Sequence, residues 1–148
     1  MERTLWSLAA AALAVLGAGC GGGGIDAGNP LVGSWETAFS SAGITGTETY
    51  QVNADGTLSY SLSASGTCSG SLTWSGYLWS STATSVAFSG TPVCSGSATC
   101  GALTYSCSLA MSAAPTSGAC DYALSNGDDT LALTNCTGTS NVTLLRAN

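Results

Sequence analysis

The sequence predicts an all-β fold: a single antiparallel β-barrel of about eight short strands, stapled by disulfides and preceded by a helical signal segment. Three observations carry this. From residue 31 onward, apolar residues alternate with polar ones, the period of a half-buried strand. The alternating runs are short and evenly spaced, with turn signals between them, as in a sandwich or closed barrel. Cysteines 68, 94, 100, 107, 120 and 136 are spread through the same region, in the manner of a disulfide framework. No helical period competes after Leu16.

The clearest element is "YQVNADGTLSYSL". Tyr50 and Val52 alternate with polar residues, Asp55-Gly56 supplies a turn, and Leu58, Tyr60 and Leu62 resume the alternation, which together read as a β-hairpin. "CDYALSNGDDTLALTNC" repeats the design with Tyr122 and Leu124, the turn at Asn126-Gly127, then Leu131 and Leu133. Further strands are expected over 31–38, 71–79, 85–89, 102–111 and 141–146. Within 71–79, Trp74 shares one face with Leu72, whereas Tyr77 and Trp79 share the other. One set belongs inside; the second packs under a covering loop or forms an interaction patch.

The chain begins differently. The apolar run 5–16 follows Arg3 and leads into Gly17-Ala18-Gly19 and Cys20. It is shorter than the roughly 20 residues a spanning helix needs, and Gly21 to Gly24 would break any extension. It therefore reads as an export signal rather than an uncleaved anchor. Its ending resembles the lipobox of bacterial lipoproteins. Gly19-Cys20 holds the last two positions with Ala18 before them, although Gly17 stands where that family prefers leucine. The resemblance implies that the signal is cut before Cys20 and that Cys20 carries lipid. Residues 1–19 are then the lipoprotein signal peptide, 20–30 the lipidated cysteine and glycine-rich tether, and 31–148 the folded domain. In well-studied lipoproteins an Asp after the cysteine holds the protein at the inner membrane. Gly21 stands there, which implies the outer membrane or cell surface, on the periplasmic or extracellular face.

Counting agrees. Seven cysteines are an odd number, and lipidation of Cys20 leaves six for three bridges. The alternative makes Cys20 an ordinary disulfide partner. Six cysteines allow 15 connectivities. Cys94 and Cys100 flank "SGSAT", an expected loop whose base they could close. Cys107 and Cys120 occupy apolar-facing positions of neighbouring segments, which leaves Cys68 for Cys136. A rival pairs Cys120 with Cys136 across the Asn126-Gly127 hairpin. It needs a bulge, because Cys136 is out of step with Leu131 and Leu133.

Gly33-Ser34-Trp35 opens the domain, the "YQVNADGT" hairpin follows, and "YALSNGDDTLALT" precedes a last strand ending in Arg146. This order resembles the lipocalin-like small β-barrels found as bacterial lipoproteins, over residues 31–146. The resemblance implies that Trp35 plugs the closed end of the barrel and Arg146 packs over it, a contact worth about 0.5–2 kcal/mol. It also implies a small apolar ligand in the barrel. The alternative is a solid barrel. Trp35, Tyr50, Tyr60, Trp74 and Tyr122 are large enough to fill an eight-stranded interior, which would leave a structural or interaction module binding another envelope protein or polymer.

Composition narrows the rest. Net charge is −6, with no histidine and only two basic residues, both arginine. There is no basic footprint for nucleic acid and none for docking on anionic lipid, so membrane attachment falls to the lipid anchor. Without histidine or lysine the common acid–base and nucleophile arrangements are missing, and no enzymatic activity is expected. Glu36 and Glu48 read as solvated strand positions, and Asp128-Asp129 as a solvated turn rather than a calcium site. The closest cysteine spacings, Cys94-x5-Cys100 and Cys100-x6-Cys107, are wider than those of zinc pairs. No metal and no cofactor are expected.

Overall fold

The computed structural model describes residues 28–41, 44–107 and 114–147. The signal segment, Cys20 and the tether as far as residue 27 lie outside the described residues. The strands are β1 (Gly33–Ser41), β2 (Ile44–Val52), β3 (Thr57–Gly66), β4 (Cys68–Ser81), β5 (Ser85–Cys100), β6 (Leu103–Ser106), β7 (Ser117–Ser125), β8 (Thr130–Thr137) and β9 (Val142–Arg146). Strands β1 to β5 pair in order, β5 continues to β7, then β8 and β9, and β9 returns to β1. All pairs are antiparallel, which closes an eight-stranded barrel. Of the strand expected over 102–111, the described part holds the short β6, which pairs with the far half of β5 outside the ring; residues 108–111 lie outside the described residues.

Alternation sorts the two faces. Thr47, Thr49, Ser61, Ser63, Ser71, Thr73, Ser95 and Ser97 fall on the outer face in register across β2 to β5. Their hydroxyls make a polar exterior, unlike the apolar band of a lipid-embedded barrel. The inner face gathers two apolar clusters. The first holds Leu31, Trp35, Trp79, Leu131 and Leu144; the second holds Leu72, Trp74 and Tyr77.

Trp74 and Tyr77 thus share the interior with both Leu72 and Trp79, which corrects the expectation of two opposed faces. The reason is a bulge. Ser75 pairs with Val93 and Tyr77 with Gly90, so the register slips between them and the inward face changes parity. Gly76 sits in this bulge at φ +89°, where a Cβ would stand 2.7 Å from the Thr91 carbonyl oxygen. On the partner strand the bulge holds Pro92, which has no N–H to lose from the ladder.

The disulfides are Cys68–Cys100, Cys94–Cys107 and Cys120–Cys136. The expected pairings of Cys94 with Cys100, Cys107 with Cys120 and Cys68 with Cys136 are therefore wrong, and the rival hairpin bridge is right. "SGSAT" is no loop: β5 runs through it to Cys100. Six residues apart on one strand, Cys94 and Cys100 stand about 20 Å from each other, beyond disulfide reach. Cys100 instead lies directly opposite Cys68 in the β4–β5 register. The bulge needed for the third bridge is present. Ala119 pairs with Thr137 and Asp121 with Thr134, and Asn135 takes φ +52°.

Candidate functional site

Two inward-facing groups of side chains stand out, and they meet at Trp35. At the first, Leu31 and Trp35 are buried under the start of the domain. Asn29 shapes the approach: its side-chain oxygen accepts from the Leu31 amide at 2.9 Å, and its backbone oxygen accepts from the Val32 amide at 3.0 Å. Such side-chain-to-backbone bonds are what favour Asn in turns. Trp35 Nε1 donates to the Leu31 carbonyl at 2.8 Å, so the indole is satisfied while fully buried.

Arg146, at the end of β9, pairs with Trp35 in register and lays its guanidinium over the indole, with Cζ 4.2 Å from the ring centroid. Its nitrogens donate to the carbonyls of Pro30 (2.7 Å), Asp128 (3.1 Å) and Val32 (3.2 Å). The Asp129 carboxylate stands 3.7 Å from Nε. One planar fork thereby ties the leading segment to the β7–β8 turn, a task a lysine point charge could not match. Gly33 was legible only as part of a Gly-x-Trp pattern. Its role is to leave room, since a Cβ there would stand 2.6 Å from Arg146 Nη1.

The second group is a row across five strands, β1 to β5. Trp35 pairs with Tyr50, Tyr50 with Tyr60, Tyr60 with Trp74 and Trp74 with Cys94, all on the inner face. The Tyr50 and Tyr60 rings stand 5.0 Å apart and the Tyr60 and Trp74 rings 5.1 Å apart, both tilted. Glu48 lies on this same face, two residues before Tyr50 and opposite Leu62, where it is only partly exposed. This corrects its assignment to a solvated outer position; the parity it shares with Tyr50 and Val52 was the available signal. Tyr50 Oη donates to Glu48 Oε2 at 3.3 Å. The Glu48 charge also reaches the Tyr60 phenol. Burial, then the Glu48 charge, pushes both phenols well above their ordinary range, so both stay protonated donors. Trp74 Nε1 is buried and finds no hydrogen-bond partner.

Elsewhere, a shallow open groove of about 220 Å³ lies along β4 and β5 beside Leu78 and Ala87; it is not an enclosed lumen. Asp128 and Asp129 are exposed in the β7–β8 turn, where the Asp128 carbonyl serves Arg146. Among the described residues no group of three or more potential metal ligands comes together. Comparison with protein families, curated proteins and solved structures gives no significant match.

Proposed function

We propose that this chain is a lipid-anchored protein of the bacterial cell envelope, held at the outer membrane or cell surface. The Trp35 end of its barrel is filled by its own side chains, and the domain acts as a structural or interaction module, engaging another envelope protein or polymer from outside. The observation that carries this over an enclosed apolar ligand is the packed interior. Trp35, Trp79, Leu131 and Leu144 are buried together, with Tyr122, Leu124, Leu133 and Val142 packed against them. An apolar guest would have to displace these rings and leave their volume unfilled.

Two further observations support the reading. The three disulfides take up the six cysteines after Cys20, which suits a Cys20 committed to lipid. The outer face of the β4–β5 hairpin exposes Leu78 and Val93 within a stretch that has no charged residue between Asp55 and Asp121. Such a surface suits an uncharged partner better than a polyelectrolyte. A non-enzymatic role fits the inner polar groups, whose phenols are held too basic to exchange protons near neutrality.

The deciding experiment is the intact mass of membrane-purified protein, alkylated without reduction and examined again under native conditions. The expected result is a chain beginning at Cys20, carrying acyl mass, no alkyl groups and no retained apolar adduct. An unlipidated chain would overturn the anchor. A stoichiometric apolar adduct that survives in the folded state would restore the enclosed-ligand reading.

A further inference from the structure

We infer that the inner face around Glu48, Tyr50, Tyr60 and Trp74 is a binding subsite for a small organic ammonium ion that also carries a hydrogen-bond acceptor. The site adjoins the packed cluster at Trp35 through Tyr50, and its existence does not depend on lipidation.

The inference begins with an unbalanced charge. Glu48 is the one described carboxylate on the inner face; Glu36, Asp55, Asp121, Asp128 and Asp129 are all exposed. A partly buried carboxylate ordinarily recruits a cation. The only cationic side chain among the described residues is Arg146, and it is engaged with Trp35, three carbonyls and Asp129. Tyr50 gives Glu48 one hydrogen bond, which leaves part of the carboxylate's accepting capacity unused.

The surroundings select the kind of cation. Tyr50, Tyr60 and Trp74 form a stepped row of rings beside Glu48, and aromatic faces attract ammonium groups most strongly where water is thinned. A metal ion would want several oxygen ligands, whereas this site offers one carboxylate among rings. The second demand is at Trp74. Its side chain is more than nine-tenths buried, yet Nε1 donates to nothing. An unmade hydrogen bond at a buried donor is costly enough to need an explanation. A ligand oxygen would supply the acceptor while its ammonium end meets Glu48. Amino alcohols and choline-like molecules carry both groups.

The test titrates the detergent-solubilised mature protein with choline and follows tryptophan fluorescence at constant ionic strength. Saturable binding is expected. 3,3-Dimethyl-1-butanol, the uncharged isostere of choline, should bind at least about tenfold more weakly, as loss of a charge-assisted contact implies. Glu48→Gln should weaken choline by about the same factor. Trp74→Phe keeps a ring, removes the N–H and should weaken choline while leaving tetramethylammonium, which has no acceptor, unchanged. That variant also decides the matter if Glu48→Gln fails to fold. Glycerophosphocholine distinguishes the source: competition with choline assigns a lipid headgroup, and its failure to compete assigns a free amine. The proposal is overturned if sodium chloride reproduces the signal, if the neutral isostere binds equally well, or if a crystal soaked in choline shows only an ordered water between Glu48 and Trp74.

Discussion

The two ends of this barrel are held by different physics. At the Trp35 end, large side chains converge from many strands, and one arginine ties together backbone segments far apart in sequence. At the other end the inner-face positions shrink to Ala64, Gly70, Gly96 and Ala98, which offer little area to bury. There Cys68–Cys100 and Cys94–Cys107 clasp β4, β5 and the segment at β6. The contrast teaches that covalent staples stand where apolar volume runs out. Small disulfide-rich domains in general follow the same logic, bridges supplying what a small core cannot. The two phenylalanines fit the same account. Phe39 lies over Gly46 and Phe88 over Gly118, so each covers a cross-strand neighbour that has no side chain.

The sharpest way to break the comparison is to empty the packed end. Trp35→Ala should cost about 3–5 kcal/mol, the range for a large buried aromatic. Chemical denaturation should show the loss, and hydrogen exchange should show protection falling in β1, β8 and β9 together. Replacing both Cys68 and Cys100 with serine should cost about 3–4 kcal/mol, from the chain entropy released when a loop of that length opens. Its signature differs: protection should fall in β4, β5 and β6 while β8 and β9 keep theirs. If both variants lose protection uniformly, the two ends are one cooperative unit and the distinction is only architectural.

Much of the barrel was legible because period-two alternation depends on local chemistry alone. Tyr50 to Leu62 and Tyr122 to Leu133 became hairpins as read, with turns at Gly56 and Gly127 in the left-handed region. What failed was parity across bulges. Trp74 and Tyr77 point the same way because Gly76 and Pro92 interrupt the ladder, and an alternation rule carried through Ser75 assigns them opposite faces. The cysteines failed for a related reason. "SGSAT" has loop composition, but its partner strand supplies the ladder that keeps it extended, so pairing decided over local propensity. Glu48 was misplaced because a charged residue reads as surface, although its parity put it inside.

A smaller effect sharpens the account of the packed end. Arg146→Gln removes the charge over Trp35 and part of the donor fork to the carbonyls of Pro30, Val32 and Asp128. The expected loss is about 2 kcal/mol. Arg146→Lys should recover only part of it, since an ammonium cannot span three carbonyls and lie flat on an indole. Thermal denaturation of the three proteins checks the order arginine, lysine, glutamine. Equal stability of the lysine and native forms would mean that charge alone, not the fork, closes this end.

The smallest expected effect lies in the β2–β3 turn, which touches the packed end through Trp79. Trp79 Nε1 donates to the Asn53 carbonyl at 2.8 Å and its backbone amide to the Gly56 carbonyl at 2.9 Å, so the turn is pinned to the core through Trp79. Asp55 organises the turn by accepting from the Thr57 hydroxyl at 2.6 Å and the Thr57 amide at 2.9 Å. The hydroxyl bond first, then the amide, holds the Asp55 carboxyl below its ordinary value of 3.8. A carboxyl depressed in the folded state contributes stability that is present above its unfolded value and is lost as pH falls through the folded value. The loss therefore begins near pH 4 and deepens below it. Thr57→Val removes the larger bond and keeps the amide, so it should be slightly less stable than the native protein at pH 7 and fall less steeply over that acid range, the gap narrowing as Asp55 is protonated. Because Asp55 is fully exposed, the whole effect should also fade in high salt. Denaturant midpoints at pH 7 and pH 3, with and without added salt, would separate this local turn from the salt-insensitive packing beneath it.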